Sequence, residues 1–357
     1  MVVDSSALAE QVVGDVLSSA FDSAGQRCSA LRLLCVQEDV AERVLDMIKQ
    51  AMREWVMGNP DRMHTDIGPV IDEDARTKIE AHIARMQTAG QAVTRMARDE
   101  SAGRGHFVMP TLIEIDGIER LQREVFGPVL HVMRYRRDDL DKVLDAINAT
   151  GYGLTFGVHS RIDETIAQVT KKVQAGNVYV NRNVIGAVVG VQPFGGMGLS
   201  GTGPKAGGPL YLYRLLQADE AQNNPALAAL TVSPASRLLV PASSERRQDE
   251  PASKQALALL MVQASAACEA YLASSVLGHT FKLPGPTGES NRYQLLARGA
   301  VWAVPKTTLG LINQLAAALA SGNRCWLETP VADSAPARLL STLPPEVKAF
   351  VQLSSAE

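Results

Sequence analysis

Cysteine, histidine and aromatic residues are scarce in this sequence. Its 357 residues include four cysteines and six histidines, and aromatic residues make up 5%. The cysteines form no CxxC pair and the histidines form no group with the spacing of metal ligands, so neither a zinc site nor a disulfide framework is expected. We therefore predict reduced thiols and a cytoplasmic protein.

An excess of charge of one sign is also missing. The net charge is −3 and the pI is about 6.1, which predicts neither a nucleic-acid partner nor an anionic membrane surface. The N-terminus lacks the basic stretch and long apolar core of a signal peptide. The most apolar run, residues 256–277, is interrupted by Gln263 and Glu269, which predicts a helix of a soluble domain and no membrane-spanning segment.

What is present is a regular alternation of predicted strands and helices. Helical periodicity over residues 7–21 and 39–55 flanks the short apolar strand LRLLCV. Further predicted strands, PTLIEI, VLHVMRY and GNVYVN, alternate with predicted helices at 138–149 and 161–174. Such alternation predicts an α/β domain in layers.

A second unit is predicted toward the C-terminus. Residues 222–253 are rich in Pro, Ala, Ser and charged residues, which is typical of a linker. A predicted helix at 254–277, the strand AVWAVP, a helix near 308–320 and the strand RCWLE follow. The chain is also longer than one ordinary domain, so two domains are expected.

One of the cysteines lies in an unusual place. Cys35, Cys268 and Cys325 have the apolar surroundings of inert, buried thiols. Cys28 lies instead in FDSAGQRCSALRLL, in a polar loop of small residues between a predicted helix and a predicted strand. A reactive thiolate needs a nearby cation or backbone N–H groups, and a glycine-flanked loop can offer such groups to a developing oxyanion as well. The position favours a nucleophile at Cys28.

Other motifs support no competing chemistry. A papain-like thiol hydrolase requires a histidine base, and none of the six histidines lies in a recognisable motif. The stretch GMGLSG, residues 196–201, matches the dinucleotide pattern GxGxxG, but no apolar strand precedes it and no helix is predicted after it. GPTGES lacks the GK[ST] ending of a phosphate-binding loop.

The combination of several segments resembles the aldehyde dehydrogenase superfamily. FDSAGQRCSALR is similar to its active-site segment, EVFGPVLHV to its nicotinamide-side segment, and the glycine-rich QPFGGMGLSGTGPKAGGP to its C-terminal loop. IGAVVGVQPFGG and LPGPTGESNRY together resemble more closely the L-glutamate γ-semialdehyde (Δ1-pyrroline-5-carboxylate) dehydrogenase part of the bifunctional proline utilization A family. The resemblance extends over nearly the whole chain.

The resemblance implies a nucleophile and a cofactor site. Cys28 corresponds to the cysteine that attacks the aldehyde, forms a hemithioacetal and, after hydride transfer to NAD⁺, becomes a thioester; its backbone N–H contributes to the oxyanion hole. Glu124 and Phe126 correspond to the residues that hold the nicotinamide ribose and pack beside the ring. Without the resemblance, these two residues would be interpreted as a surface carboxylate and a core aromatic.

The resemblance also implies a site for the substrate. Ser29, Gly186 and Ala187 correspond to the positions that bind the α-carboxylate of the substrate through a hydroxyl and consecutive backbone N–H groups. Phe194 corresponds to an aromatic residue that packs on the aliphatic part of the substrate. The alternative that the loop glycines serve only turn geometry stays open.

The implied fold class is α/β, with three segments. Residues 1–215 correspond to the catalytic (thiol) domain of an aldehyde dehydrogenase, 216–253 to a linker, and 254–357 to a noncatalytic, degenerate Rossmann-like domain that is expected to be truncated. The NAD-binding domain, the oxyanion asparagine and the general-base glutamate are expected before Met1. The chain is accordingly expected to be a C-terminal fragment of a larger homo-oligomeric protein, and FAD is expected only in a proline dehydrogenase part outside the chain.

The expected function is NAD-dependent oxidation of a small molecule, L-glutamate γ-semialdehyde, to L-glutamate, which is the second step of proline catabolism. A different aldehyde substrate stays open, although the Gly186–Ala187 pair favours one that carries a carboxylate. A binding or scaffold role also stays open for the chain expressed alone, which is expected to be inactive without the base and the NAD-binding domain.

Overall fold

The computed structural model describes residues 1–97, 105–201, 203–212, 244–246, 266–305, 307–328 and 335–354. It divides into two compact units, Met1–Gly208 and Pro209–Glu357. The predicted domain boundary at residue 215 lies outside the described residues, and so does the predicted linker at 216–253, except for the strand Ser244–Arg246. The predicted domain limits therefore stay predictions.

The first unit contains a seven-stranded sheet of mostly parallel strands. Its strand order is β3-β4-β5-β2-β1-β7-β8, and only β3 and β4 pair antiparallel. A separate antiparallel pair joins β6 to β9, and β9 lies in the glycine-rich segment. The strands of this unit are β1 (Val2–Val3), β2 (Leu33–Gln37), β3 (Ala92–Arg95), β4 (Thr111–Glu114), β5 (Val129–Tyr135), β6 (Tyr152–Gly153), β7 (Thr155–His159), β8 (Asn177–Val180) and β9 (Met197–Gly198).

Helices cover both faces of this sheet. Val3, Leu34 and Val36 of the central strands belong to one core, which includes residues of α1, α2 and α3. Val2 and Cys35 point to a second core, which includes residues of α4 and α5. Because both faces are covered, the central strands are apolar at successive positions. The helices are α1 (Ala9–Phe21), α2 (Glu38–Arg53), α3 (Glu73–Thr88), α4 (Leu140–Ala149) and α5 (Asp163–Lys172).

The second unit contains two three-stranded sheets. One is antiparallel, with β10 (Ser244–Arg246), β11 (His279–Leu283) and β12 (Asn291–Gln294); the other is parallel, with β13 (Ala300–Ala303), β14 (Arg324–Glu328) and β15 (Val351–Ser354). The helices are α6 (Ala266–Ser274), α7 (Thr308–Ala320), α8 (Ala335–Thr342) and α9 (Pro345–Lys348). No helix in the described part of the chain is long and apolar enough to cross a bilayer.

Candidate active site

A left-handed turn leads from α1 into the loop that carries the thiol. Helix α1 ends at Phe21, and Ser23, Ala24 and Gly25 then adopt positive φ angles of 57°, 54° and 64°. A Cβ on Gly25 would lie 2.2 Å from the carbonyl oxygen of Gly127. Only glycine permits this approach of two backbones, so the turn is packed directly against the segment that contains Glu124 and Phe126.

Cys28 is the exposed cysteine of the chain. Cys35, Cys268 and Cys325 are buried, as predicted, and burial raises the pKa of the Cys35 and Cys325 thiols to about 11. Within the described residues, the backbone N–H of Cys28 donates to no acceptor of the protein. An accessible sulfur and an unused N–H on the same residue are the two groups that a nucleophile with its own oxyanion donor requires.

The Arg32 side chain connects the thiol loop to the predicted cofactor residues. Its Nε donates to Glu124 Oε1 at 3.2 Å. Its guanidinium carbon lies 4.8 Å from the centroid of the Phe126 ring, in the range of a cation–π contact. Phe126 is 45% exposed, so it is not a core aromatic, which was the alternative interpretation.

The same guanidinium also binds backbone carbonyls of both segments. Nη1 donates to Gly25 O at 2.6 Å and to Gly127 O at 3.2 Å, and Nη2 donates to Arg27 O at 3.1 Å. Burial lowers the pKa of Arg32, whereas interactions with Glu124 and Cys28 raise it. Arginine keeps its charge far above neutral pH, so a fixed cation lies between the thiol loop and the Glu124 carboxylate.

The sheet order explains why these segments meet. Cys28 precedes β2 and Glu124 precedes β5, and the two strands are parallel neighbours in which Leu33 pairs with His131. Segments that enter neighbouring parallel strands reach the same edge of the sheet. The thiol and the predicted cofactor residues therefore share the amino edge of the sheet.

Hydrogen bonds attach the backbone at the predicted substrate residues Ser29 and Phe194 to the first residues of β7 and β8. Thr155 Oγ1 on β7 donates to the Ser29 carbonyl at 3.3 Å. Thr155 pairs with Asn177 of β8, and the Asn177 side chain bonds to the backbone on both sides of Phe194, at 3.0 and 3.2 Å. Ser29 is buried, with 6% of its surface exposed, whereas its neighbour Cys28 is exposed.

Gly186 and Ala187 are connected to the thiol loop through Ser19 of α1. The carbonyl of Ser19 accepts from the Leu31 N–H at 2.8 Å, and its hydroxyl accepts from the Val184 N–H at 3.1 Å. Gly186 has a φ of 72° and is exposed, and Ala187 is half-buried. The structure thus anchors the segment with the predicted carboxylate site to the same helix end that carries Cys28.

Comparison with known proteins gives the family of this arrangement. Residues 1–219 match the model of the aldehyde dehydrogenase family. The chain belongs to the aldehyde dehydrogenase family.

The relatives of this aldehyde dehydrogenase chain are named for proline and pyrroline-5-carboxylate. It is 50% identical over 364 residues to bifunctional protein PutA of Escherichia coli K12, covering 100% of this chain and 27% of that protein. It is 39% identical to 1-pyrroline-5-carboxylate dehydrogenase of Geobacillus thermodenitrificans, covering 61% of this chain and 42% of that protein. A crystal structure of a mutant of Bradyrhizobium japonicum proline utilization A is 57% identical, with a TM-score of 0.57, over 60% of this chain and 22% of that one. The chain thus spans less than half the length of each of these relatives.

The exposed surfaces of Glu124 and Phe126 fit the nicotinamide end of NAD. The Glu124 side chain is 37% exposed although one oxygen is paired with Arg32, so the carboxylate can also accept from ribose hydroxyls. The Phe126 ring has the guanidinium on one side and 45% of the residue exposed, which leaves apolar surface for a pyridine ring. These two side chains could therefore hold a nicotinamide riboside.

Sequence reasoning missed four residues that assemble this aldehyde dehydrogenase site. The sequence carried a signal for Arg32, because it is a charged residue directly before a buried strand in LRLLCV. The other three are ordinary small polar residues whose importance depends on distant partners. The four are Arg32, Ser19, Thr155 and Asn177.

Proposed function

We propose that this chain forms the thiol-bearing part of an NAD-dependent enzyme that oxidises L-glutamate γ-semialdehyde to L-glutamate. The observation that carries the proposal is the exposed Cys28, whose loop Arg32 joins to Glu124 and Phe126. The names of the relatives, bifunctional protein PutA and 1-pyrroline-5-carboxylate dehydrogenase, support the substrate and a place in proline catabolism.

In this proposal Cys28 performs the covalent chemistry. Its sulfur attacks the aldehyde carbon, and the carbonyl electrons move to the oxygen, where the unused N–H of Cys28 stabilises the developing charge. Bound NAD⁺ supplies the acceptor for the hydride that leaves this carbon, and a thioester on Cys28 results. Water then attacks the thioester carbon and the carbon–sulfur bond breaks. One proton of the water goes to the sulfur and the other to solvent, so that the carboxylate product and the thiol are released.

The cofactor role falls to Glu124 and Phe126. Glu124 would accept hydrogen bonds from the nicotinamide ribose, and Phe126 would pack beside the ring. Both side chains are partly exposed and lie at the same sheet edge as the thiol. This arrangement supports a hydride acceptor held close to Cys28, and FAD has no role in this part of the enzyme.

The substrate role falls to Ser29, Gly186, Ala187 and Phe194. The first three would bind the α-carboxylate, and Phe194 would pack on the carbon chain of the substrate. In support, Thr155 anchors the Ser29 carbonyl to β7, and Ser19 of α1 anchors the segment of Gly186 and Ala187 to the helix that precedes the thiol loop. Consecutive N–H groups in a loop with a positive φ at Gly186 are a recurrent anion-binding arrangement.

We further propose that the second unit is noncatalytic and that the active enzyme is a longer, cytoplasmic homo-oligomer with an NAD-binding domain. In support, the described site residues all lie in the first unit, Met1–Gly208. The partner in this proposal is a small-molecule substrate, with no nucleic acid bound by this segment.

The test is substitution of the thiol in the full-length protein that contains this chain. Cys28→Ser should abolish NADH formation from L-glutamate γ-semialdehyde, because a neutral hydroxyl is a far weaker nucleophile than a thiolate. Cys268→Ser is the matched control and should retain turnover, because its thiol is buried in the second unit. Wild-type turnover in Cys28→Ser would overturn the proposal.

A further inference from the structure

We propose that Arg32 is a positioning residue of this enzyme, which fixes Glu124 and Phe126 relative to the Cys28 loop. The inference rests on the proposed function, since it assigns Glu124 and Phe126 to the cofactor. Arg32 bonds to none of the reacting atoms. Its effect passes through the residues that it holds.

The donor geometry of Arg32 is used on both sides of the site. Three of its nitrogens donate to four acceptors, which are the carboxylate of Glu124 and the carbonyls of Gly25, Arg27 and Gly127. A guanidinium offers five N–H groups in a rigid plane, whereas a lysine ammonium is a single point with three donors. Lysine would keep the charge but could not reach both segments.

The backbone carbonyl of Arg32 is itself held by a buried histidine. The Arg32 carbonyl accepts from the backbone N–H of His131 at 3.0 Å and lies 3.1 Å from His131 Nδ1. Because a carbonyl only accepts, Nδ1 of His131 must carry the proton. Residue 32 is therefore held at its carbonyl by two hydrogen bonds and at its side chain by four.

The tautomer of His131 determines the direction of every hydrogen bond in a buried hydrogen-bonded chain that links Arg85, His82, His131 and Arg32. With the proton on Nδ1, Nε2 of neutral His131 can only accept, so His82 must donate to it from Nε2 at 2.8 Å. Nδ1 of His82 then accepts from Arg85 Nη2 at 2.8 Å. All hydrogen bonds in the chain run in one direction, from Arg85 to the carbonyl of Arg32.

A second proton on either histidine would break this chain. It would place two donors opposite each other, next to the charges of Arg85, Arg123 and Arg32. Burial, together with the charges of Arg85 and Arg123, lowers the pKa of His82 to about 4. Burial, together with His82 and the charge of Arg32, lowers the pKa of His131 to about 4. His82 and His131 are thus neutral at physiological pH, the hydrogen bonds between Arg85 and the Arg32 carbonyl have a single arrangement, and they support Arg32 in one position.

A double-mutant cycle tests whether Arg32 acts through Glu124. In the full-length protein, Arg32→Lys and Glu124→Gln should each raise the KM for NAD⁺ about tenfold, roughly the loss of one charge-assisted interaction. The KM for NAD⁺ of the double variant should be no higher than that of the more affected single variant, because the two substitutions break the same connection. Multiplied effects, about a hundredfold, would overturn the proposal. Arg134→Lys is the matched control, because Arg134 lies on β5 and pairs with Glu42 of α2 and Glu114 of β4; it should leave the KM for NAD⁺ unchanged.

A second readout needs neither cofactor nor turnover. In the 357-residue chain labelled with 4-fluorophenylalanine, Arg32→Lys should move the ¹⁹F resonance of Phe126, because the cation leaves the ring face, and Arg134→Lys should not. Glu124→Gln removes the same ion pair at its more exposed residue and replaces Arg32→Lys in this test if Arg32→Lys does not fold. Glu124→Gln should also move the ¹⁹F resonance of Phe126. An unchanged Phe126 resonance in the variants would overturn the inference.

The two readouts separate this inference from the proposed function. A shifted Phe126 resonance together with no oxidation of the semialdehyde by the wild-type protein would contradict the proposed function and support the placement of Phe126 by Arg32. Wild-type turnover together with an unchanged KM for NAD⁺ in Arg32→Lys would overturn the positioning role and leave the proposed function intact.

Discussion

Arg32 and Glu124 form an ion pair of 3.2 Å although they lie 92 positions apart in the sequence. The pair joins the segment before β2 to the segment before β5, and those strands are neighbours in the sheet. The proposed nucleophile, Cys28, and the proposed cofactor carboxylate, Glu124, are thereby placed around one half-buried guanidinium, whose side chain is 17% exposed. The pairing of β2 with β5 in the sheet therefore sets the relative position of the two groups.

Labelling of the thiols should distinguish Cys28 from the other cysteines. In the folded 357-residue chain, iodoacetamide should modify Cys28 first, because its side chain is exposed and Cys35, Cys268 and Cys325 are buried. Peptide mass spectrometry at successive times measures the rates, and the denatured chain is the control in which all four should react. Equal rates in the folded chain would contradict the assignment of Cys28 as the accessible nucleophile.

Substitution of Gly25 should destabilise the first unit strongly. Gly25→Ala adds a Cβ 2.2 Å from the Gly127 carbonyl oxygen at a φ of 64°, so two backbones must separate and the free energy of unfolding should fall by about 3 kcal/mol or more. Gly186→Ala is the matched control. Its φ is 72° but nothing lies within 4 Å of the added Cβ, so only the left-handed conformation, about 1–2 kcal/mol, opposes it.

Urea unfolding of both variants measures this difference. Equal losses of unfolding free energy in Gly25→Ala and Gly186→Ala would show that the close approach of Gly25 to Gly127 contributes nothing beyond backbone conformation. That result would also remove the argument that Arg32 clamps two packed backbones.

Recognition of the carboxylate should depend on Ser29 and Ala187. In the full-length protein, Ser29→Ala and Ala187→Leu should raise the KM for L-glutamate γ-semialdehyde more than the KM for pentanal, which has a similar length and no carboxylate. The loss of one charge-assisted hydrogen bond corresponds to about 1.5–3 kcal/mol, roughly a tenfold to hundredfold effect. Steady-state kinetics with both aldehydes measures it, and equal losses would contradict a carboxylate site at these residues.

The stability of the first unit should decrease in mild acid because of buried histidines. Burial lowers the pKa of His82, His131 and His159 from 6.5 to about 4. As the pH falls below 6.5, the unfolded chain binds protons that the folded chain does not, so the free energy of unfolding falls until the pH reaches about 4. Above pH 6.5 this contribution is constant. Each histidine adds a slope of at most about 1.4 kcal/mol per pH unit.

Urea unfolding between pH 7.5 and pH 4.5 checks the slope. His82→Asn and His131→Asn should each reduce it by removing one group that the unfolded chain protonates. His64→Asn changes an exposed imidazole and is the matched control. A stability that stays level down to pH 4.5 in the unsubstituted chain would show that these histidines are protonated without cost and would contradict the neutral chain from Arg85 to Arg32.

The sequence alone determined the local elements where periodicity is strong. Helices predicted at 7–21 and 39–55 are observed at Ala9–Phe21 and Glu38–Arg53, and the strand LRLLCV is observed at Leu33–Gln37. The predicted loop at Cys28 is confirmed, and so is the burial of the other three cysteines. Hydrophobic spacing and the polar surroundings of one thiol are local information, which a chain displays without its fold.

Helix α3, Glu73–Thr88, had no counterpart in the sequence prediction. Six of its sixteen residues are charged, and its buried residues, which are Ile79, His82, Ile83 and Met86, include a histidine. Burial of His82 is compensated by hydrogen bonds to His131 and Arg85, and one of those partners is 49 positions away. A polar residue at a core position weakens the apolar pattern, so only the packed structure shows why it is there.

The placement of the site was decided by the tertiary structure alone. The sequence indicated Cys28, Glu124 and Phe126 as separate motifs, but their meeting depends on the pairing of β2 with β5. Strand order is set by the packing of distant segments, because a parallel strand can pair with a partner from almost any part of the chain at similar backbone cost. Arg32 therefore looks like an ordinary charged residue in sequence. It becomes the centre of the site only when the sheet brings Glu124 and Gly127 within reach of a guanidinium that already bonds to the Gly25 and Arg27 carbonyls of its own loop.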